Sequence, residues 1–265
     1  MKFYAKLAAA ARHNNSCVCI GLDPEPEKLP AGVSTLEFCQ AIIGATHDLV
    51  CAYKPNSAFF EALGEDGWST LKAVIKCVPK NIPVILDAKR GDIGNTAKAY
   101  ARAAFVELGA DAVTVNPYMG YDSMEPFIGY DDKGIFVLCR TSNPGAADFQ
   151  SLKIDGEPLY RLVAKKVGEW NVRGNLGLVV GATQPEELKV IRQSHPTMPI
   201  LIPGVGAQGG SLEKAVKYGT GNSDGLAIIS SSRQILYASS GSDYAAAARR
   251  AATELRDEIE GYRAE

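Results

Sequence analysis

The sequence predicts an α/β fold, a (β/α)8 TIM barrel occupying residues 1–265 as a single domain with an N-terminal and a C-terminal helix. Three observations lead there. Short apolar or β-branched runs recur eight times, segments of helical periodicity separate them, and 265 residues lie close to the roughly 250 that eight β/α units need. Strand-then-helix alternation implies parallel pairing through right-handed crossovers. An open doubly wound sheet more often has about five to seven strands.

In chain order, MKFYAKLAAAARHNN is a short Ala-rich amphipathic segment that reads as the N-terminal helix. Strand 1 is expected at 17–22, within SCVCIGL, with a helix at 35–47 after it. The run 49–53 makes strand 2 and the periodic segment 68–77 its helix; 83–86 makes strand 3, followed by a helix at 95–108. Strand 4 is expected at 112–115, with a short, weak helix near 123–128. Strand 5, at 135–139 within IFVLCR, leads into a connection over 141–158. That connection exceeds the usual length of about two to six residues, and long ordered loops in compact domains are often functional. Helix 159–170, strand 176–180, helix 185–193, strand 200–202, helix 212–218 and strand 225–229 complete the alternation. An Ala/Arg/Glu-rich tail, 242–262, makes the last helix, and no low-complexity linker divides the chain.

Composition removes several classes of function. With 28 Lys+Arg against 30 Asp+Glu and an isoelectric point near 6.0, the chain lacks the basic stripe of an electrostatic nucleic-acid binder. At 46% hydrophobic it has enough apolar residues to fold. The longest uncharged stretch, 193–212, holds Pro196, Pro199, Pro203 and four glycines, so it is no lipid-exposed helix, and no membrane association is expected. No export signal is evident in the N-terminal segment. The six cysteines lie mostly in apolar runs and form no CxxC pair, which reads as small buried hydrophobes in a reducing cytoplasm. Neither a metal site nor a disulfide is expected.

Charges gather where strands end. CIGLD puts Asp23 after strand 1, CAYKP puts Lys54 after strand 2, and VILDAKRGD puts Asp87, Lys89 and Asp92 after strand 3. In a TIM barrel the C-terminal strand ends carry the active site. On an extended segment Asp87 and Lys89, two apart, point the same way and Ala88 points oppositely. Each charge has an ordinary reading alone: Asp23 before a proline as a turn former, Lys54 as a snorkelling lysine, Asp92 as a helix cap. Together, buried charges on adjacent strands cost several kcal/mol unless they compensate one another and serve a ligand. The three histidines, His13, His47 and His195, fall at the opposite end, so proton transfer must use lysine or carboxylate.

A second constellation is PGVGAQGG, residues 203–210, after strand 7, and SSSRQ, residues 230–234, after strand 8. These are the usual phosphate positions in such barrels. Glycines let backbone amides approach an anion at a helix N-terminus, and Arg233 adds a bidentate fork.

With these residues in view, the chain resembles the orotidine 5′-phosphate decarboxylase family essentially from end to end. Its most specific piece is DAKRGDIGNT, residues 87–96, which fits the pattern Asp-x-Lys-x-x-Asp-Ile-x-Asn-Thr. GLDP (21–24), YKPNSAFFE (53–61), RTSNPGA (140–146), VGATQPEE (180–187), PGVGAQGG and Arg233 support it, and the RTSNP form resembles the longer bacterial branch. The resemblance implies conversion of orotidine 5′-phosphate to uridine 5′-phosphate without a cofactor. It implies Lys54, Asp87, Lys89 and Asp92 as the alternating charge array, with Lys89 the proton donor. By the same resemblance Asp23 holds the ribose, Ser142 the pyrimidine edge, and Gln208 and Arg233 the phosphate, with Ile93, Thr96, Pro203 and Gly209 as further substrate contacts. It also implies a homodimer in which Asp92 and Thr96 reach into the partner's site.

The chemistry suits the residues. Loss of CO₂ from C6 of a pyrimidine leaves an electron pair in an in-plane orbital with no adjacent π sink, so a fixed ammonium beside that carbon is the fitting stabiliser. Three other readings share the residues. A metal-dependent sugar-phosphate enzyme keeps the barrel and Asp-x-Lys-x-x-Asp, and is separated by chelator sensitivity. A Schiff-base aldolase would use Lys54 or Lys89 and be trapped by borohydride. A non-catalytic phosphate binder would have no need of Asp87 and Asp92 beside an anion.

Overall fold

The computed structural model describes residues 1–206, 209–221 and 226–264. Within them, eight parallel strands form one sheet: β1 (Val18–Leu22), β2 (Ala52–Pro55), β3 (Ile85–Arg90), β4 (Ala112–Val115), β5 (Gly134–Arg140), β6 (Leu176–Val180), β7 (Ile200–Pro203) and β8 (Ala227–Ser231). They pair in the order β2-β1-β8-β7-β6-β5-β4-β3. Parallel bridges Tyr53–Val84 and Asn56–Asp87 join β2 to β3 and bring the sheet round into a (β/α)8 barrel.

Alternation along each strand builds two cores. Outward residues such as Val18, Ile20, Leu22, Val113 and Ile229 pack under the surrounding helices. Inward residues Cys19, Ala52, Ile85, Ala112, Phe136, Val179, Leu201 and Ile228 fill the barrel interior together with Phe3 and Leu7. Those last two belong to helix Phe3–His13, which closes the N-terminal end of the barrel. Phe3 and Tyr4 meet Phe136 edge-on at 5.8 and 6.0 Å. Gly177 makes room for this plug, since a Cβ there would stand 2.8 Å from the Phe136 ring and the Tyr4 hydroxyl. With that end filled, the interior of the barrel opens at the C-terminal strand ends.

Most elements stand where the sequence places them, and the differences have local causes. β2 begins at Ala52 rather than 49, because Leu49 still bonds back to the Thr46 carbonyl and the Asn14 carboxamide takes the Val50 carbonyl. β3 runs on to Arg90, whose carbonyl accepts from Asn116. The helix expected at 95–108 is α-helical only over Gly94–Arg102 and continues as a π turn, Ala103–Glu107, which turns Phe105 against Phe127 and Tyr130. The strand expected at 225–229 is β8, and its first residue lies outside the described residues. The long connection after β5 holds a 3-10 turn (Pro144–Ala146), a short helix (Ala147–Gln150) and a two-stranded hairpin (Lys153–Ile154 with Glu157–Pro158). That hairpin turns through Asp155 and Gly156, both at positive φ.

Candidate active site

At the C-terminal end of the barrel the inward positions change from apolar to charged or polar. Lys54 follows Ala52 on β2, Asp87 follows Ile85 on β3, Thr114 follows Ala112 on β4 and Ser230 follows Ile228 on β8. With Leu138 and Val179 they line a cavity of about 570 Å³, within the size of a small-molecule site. Gly21, paired with Lys54 across the β1–β2 ladder, leaves this wall without a side chain.

Asp87 sits between two cations. Lys54 Nζ donates to its Oδ2 at 3.0 Å and Lys89 Nζ to its Oδ1 at 2.7 Å. The Lys54 and Asp87 side chains are 7% and 11% exposed, whereas Lys89 is 49% exposed and faces the cavity. Burial works against the charge of Lys54, yet Asp87 and Asp23 outweigh it and hold the ammonium above its usual range. Burial likewise opposes ionisation of Asp87, and the two ammoniums reverse that, holding its carboxyl far below the usual 3.8. Of the two ammoniums, the buried Lys54 is shared between Asp87 and Asp23, while the half-exposed Lys89 presents its charge to the cavity, where it favours an anion or a developing carbanion.

Asp87 and Lys89 do face the same space, but simple strand alternation is not the reason. Lys89 lies at φ +46°, in the left-handed region that non-glycine residues rarely adopt. The β3–β4 register breaks between Leu86 and Arg90, so the segment is bulged where the sequence suggests an extended one. The backbone amides of Ala88 and Lys89 both turn to the hydroxyl of Thr114, at 3.0 and 2.9 Å, and that hydroxyl donates to Asp87 Oδ1 at 2.9 Å.

Among the other expected positions, Asp23, Ser142, Pro203 and Arg233 line the cavity. One carboxylate oxygen of Asp23 is buried without a hydrogen-bond partner, as is the Ser232 hydroxyl beside it, so the first can accept from a ligand hydroxyl and the second can donate to a ligand oxygen. Ser142 comes close because Gly181 follows β6, and a Cβ there would stand 2.7 Å from the Ser142 Cα. Asp92, Ile93, Thr96 and Gly209 do not line the cavity of their own chain. Asp92 does not cap the following helix either: its Oδ1 accepts from the adjacent Ile93 amide at 2.8 Å. Ile93 is half exposed and Thr96 exposed. Gln208 lies outside the described residues.

At its described residues the glycine loop differs from its reading as a set of open amides. The N–H groups of Gly206, Gly209 and Gly210 bond to the carbonyls of Gly210, Gly206 and Gly204, while Gly204, Gly206 and Gly209 take positive φ to close the turn. Arg233, exposed at the mouth and opening the helix Arg233–Leu236, remains the cationic group available to a phosphate from this side.

Three further residues shape the site without standing out in the sequence. Thr114 hides inside the apolar run AVTV, although its place two residues after Ala112 marks it as inward. Gln150 holds the long connection: its Oε1 accepts from the Thr141 amide and its Nε2 donates to the Thr141 hydroxyl, both at 2.8 Å. The Tyr237 hydroxyl accepts from the Glu25 amide at 2.7 Å and donates to the Asp23 carbonyl at 3.1 Å, fixing the loop that carries Asp23. No histidine lines the cavity, and among the described residues no three His, Cys, Asp or Glu side chains cluster as a metal site.

The profile of the orotidine 5′-phosphate decarboxylase / HUMPS family matches residues 16–251. An orotidine 5′-phosphate decarboxylase of Dehalococcoides mccartyi is 57% identical, with 99% of each chain covered, and one of Cupriavidus necator is 54% identical with the same coverage. Among solved structures, Leishmania donovani OMP decarboxylase superposes with a TM-score of 0.88 at 43% identity over the whole of both chains. Leishmania donovani UMP synthase superposes with a TM-score of 0.91 at 47% identity; 99% of the present chain is covered, and it spans 57% of that longer protein. By sequence and by fold, the chain belongs to the orotidine 5′-phosphate decarboxylase / HUMPS family.

Proposed function

We propose that this chain decarboxylates orotidine 5′-phosphate to uridine 5′-phosphate in pyrimidine biosynthesis, as a carbon–carbon lyase in which Lys89 stabilises and then protonates the C6 carbanion. The observation that carries the mechanism is one carboxylate, Asp87, held between two ammoniums on the cavity wall. When the C6–carboxylate bond breaks, its electron pair stays on C6 and CO₂ leaves. The Lys89 ammonium, already charged and oriented by Asp87, lowers the energy of that pair and passes a proton to C6. Lys89 regains its proton from water. Lys54, in turn, fixes Asp87, so the donor stays in place without reorganisation during the reaction.

For Asp23, Ser142, Pro203 and Arg233 the binding roles are supported by the cavity lining, and for Gln208 and Gly209 by their place in the glycine loop. Asp23, with its unpartnered oxygen, takes the ribose hydroxyls; Ser142 the pyrimidine edge; Pro203, Gln208, Gly209 and Arg233 the phosphate. Phosphate binding, remote from C6, orders the loops over the site and excludes water. Asp92, Ile93 and Thr96 act from the partner chain of a homodimer, where Asp92 completes the charge array. The exposed apolar side chains of Ile93 itself and of Tyr118, Met119 and Tyr121 after the neighbouring strand β4 support such an interface. We take residues 1–265 as one barrel domain working in the reducing cytoplasm, a reading supported by six free cysteines, five of them buried. No described helix is long and apolar enough to cross a membrane.

The test follows the absorbance change of orotidine 5′-phosphate with purified protein, with and without chelator, for the wild type and Lys89→Ala. Turnover that survives chelation is expected, together with none detectable for Lys89→Ala at an unchanged circular dichroism spectrum. No turnover, or turnover abolished by chelator, would move the chain toward the sugar-phosphate chemistry of the wider family. A near wild-type rate for Lys89→Ala would remove Lys89 from its role.

A further inference from the structure

We infer that Thr114 is a positioning residue for this reaction: its single hydroxyl sets both the left-handed turn of Lys89 and the orientation of the Asp87 carboxylate. The inference rests on the reading of Lys89 as proton donor. Thr114 is 1% exposed and stands inward on β4, beside the bulge of β3. A hydroxyl has one proton to give and two lone pairs to offer. Here all three are used, by the Ala88 amide at 3.0 Å, the Lys89 amide at 2.9 Å and Asp87 Oδ1 at 2.9 Å.

The arrangement answers a backbone problem. Where the β3–β4 register breaks, between Leu86 and Arg90, two consecutive amides turn from the ladder to the Thr114 side chain. A buried amide without an acceptor is costly, so the hydroxyl holds the chain in a conformation that a lysine otherwise avoids at φ +46°. The same oxygen donates to the carboxylate oxygen that receives Lys89 Nζ at 2.7 Å. Backbone and side chain of the proton donor are thus anchored to one atom on the neighbouring strand. Valine matches threonine in shape but offers neither lone pairs nor proton, whereas serine keeps both.

Thr114→Val, Thr114→Ala and Thr114→Ser test this by steady-state kinetics on orotidine 5′-phosphate, with thermal unfolding as the fold control. For Thr114→Val, kcat is expected to fall about 10- to 100-fold, the scale on which small misplacements of a reacting group act. KM is expected to stay within about threefold, the mark of an interaction spent on the reaction step. The acid limb of the kcat profile should shift to higher pH, because Asp87 loses a donor that favours its charged form. Thr114→Ala, which removes the hydroxyl without introducing a second methyl, should show the same fall if Thr114→Val does not fold, and Thr114→Ser should recover the wild-type kcat to within about threefold. A wild-type kcat in a folded hydroxyl-free variant, a loss confined to KM, or a serine variant as impaired as Thr114→Val overturns the proposal. Lys89→Ala run alongside separates the two readings. An inactive Lys89→Ala beside an unimpaired Thr114→Val sinks only the role of Thr114, while an active Lys89→Ala sinks the reading on which it rests.

Discussion

Asp87 carries the densest set of interactions in the site, and its charge is as much a matter of stability as of chemistry. Lys54 is nearly buried against it, so removing the negative charge leaves a buried ammonium without its hydrogen-bonded carboxylate in the barrel wall. Asp87→Asn is expected to lower stability at pH 7 by about 3–5 kcal/mol, the range for breaking a buried ion pair. The sign with pH follows from the direction of the shift. Because the folded-state pKa lies below the usual 3.8, the stabilisation from Asp87 is complete above that value and declines as pH falls toward the folded-state pKa. The gap between wild type and Asp87→Asn should therefore narrow below about pH 4, a trend that denaturant unfolding at pH 7 and pH 3 measures. Asp48, held at about 2 by its hydrogen bonds from Arg249, contributes its own acid slope in both proteins and cancels in the comparison. A gap unchanged down to pH 3 would mean that charge is not its source.

At the scale of elements, one residue ties three segments at the end of the barrel away from the site. Arg192, buried in the last turn of helix Pro185–Ser194, donates to the carbonyls of Gly219, His195, Pro196, Met198 and Leu226. Burial lowers its pKa to about 10, so it stays charged at neutral pH and its hydrogen bonds are charge-assisted. Arg192→Met keeps an apolar stem but orphans these carbonyls. A loss of about 2–4 kcal/mol is expected, with kcat unchanged, from denaturant unfolding and kinetics on the same preparation. A fall in kcat at unchanged stability would contradict a purely structural clamp. Elements of this kind were only partly legible beforehand: the helix around Arg192 shows in its periodicity, whereas its carbonyl partners come from separate segments. The π turn at Ala103–Glu107 is hidden for a similar reason, since Phe105 is drawn against Phe127 and Tyr130 by packing that helical periodicity does not encode.

At the scale of the whole molecule, the position of three expected site residues bears on how each site is completed. Asp92, Ile93 and Thr96 follow the bulged end of β3 yet stay out of the cavity that Asp87 and Lys89 line. If they serve the partner's site, Asp92→Asn and Lys89→Ala chains, each inactive alone, should complement when mixed. Each hybrid dimer holds one intact site, so random pairing predicts about one quarter of wild-type activity for the equimolar mixture. Reconstitution after dissociation, followed by the orotidine 5′-phosphate assay, measures it. Inactive hybrids would place every catalytic group within a single chain.

The sequence alone determined the order of the eight barrel strands and of the main helices between them, and it marked Lys54, Asp87 and Lys89, because apolar runs and the charges ending them are local patterns. Tertiary structure decided how those charges become a site. Thr114 reads as one more strand residue until the break in register against β3 brings its hydroxyl under Ala88, Lys89 and Asp87. Likewise, Lys89 has the spacing of an extended residue but the backbone of a left-handed one, and the amides of Gly206, Gly209 and Gly210 bond within the glycine loop itself. Register, bulges and closure depend on contacts between residues far apart in the chain. A pattern read along one strand cannot contain them.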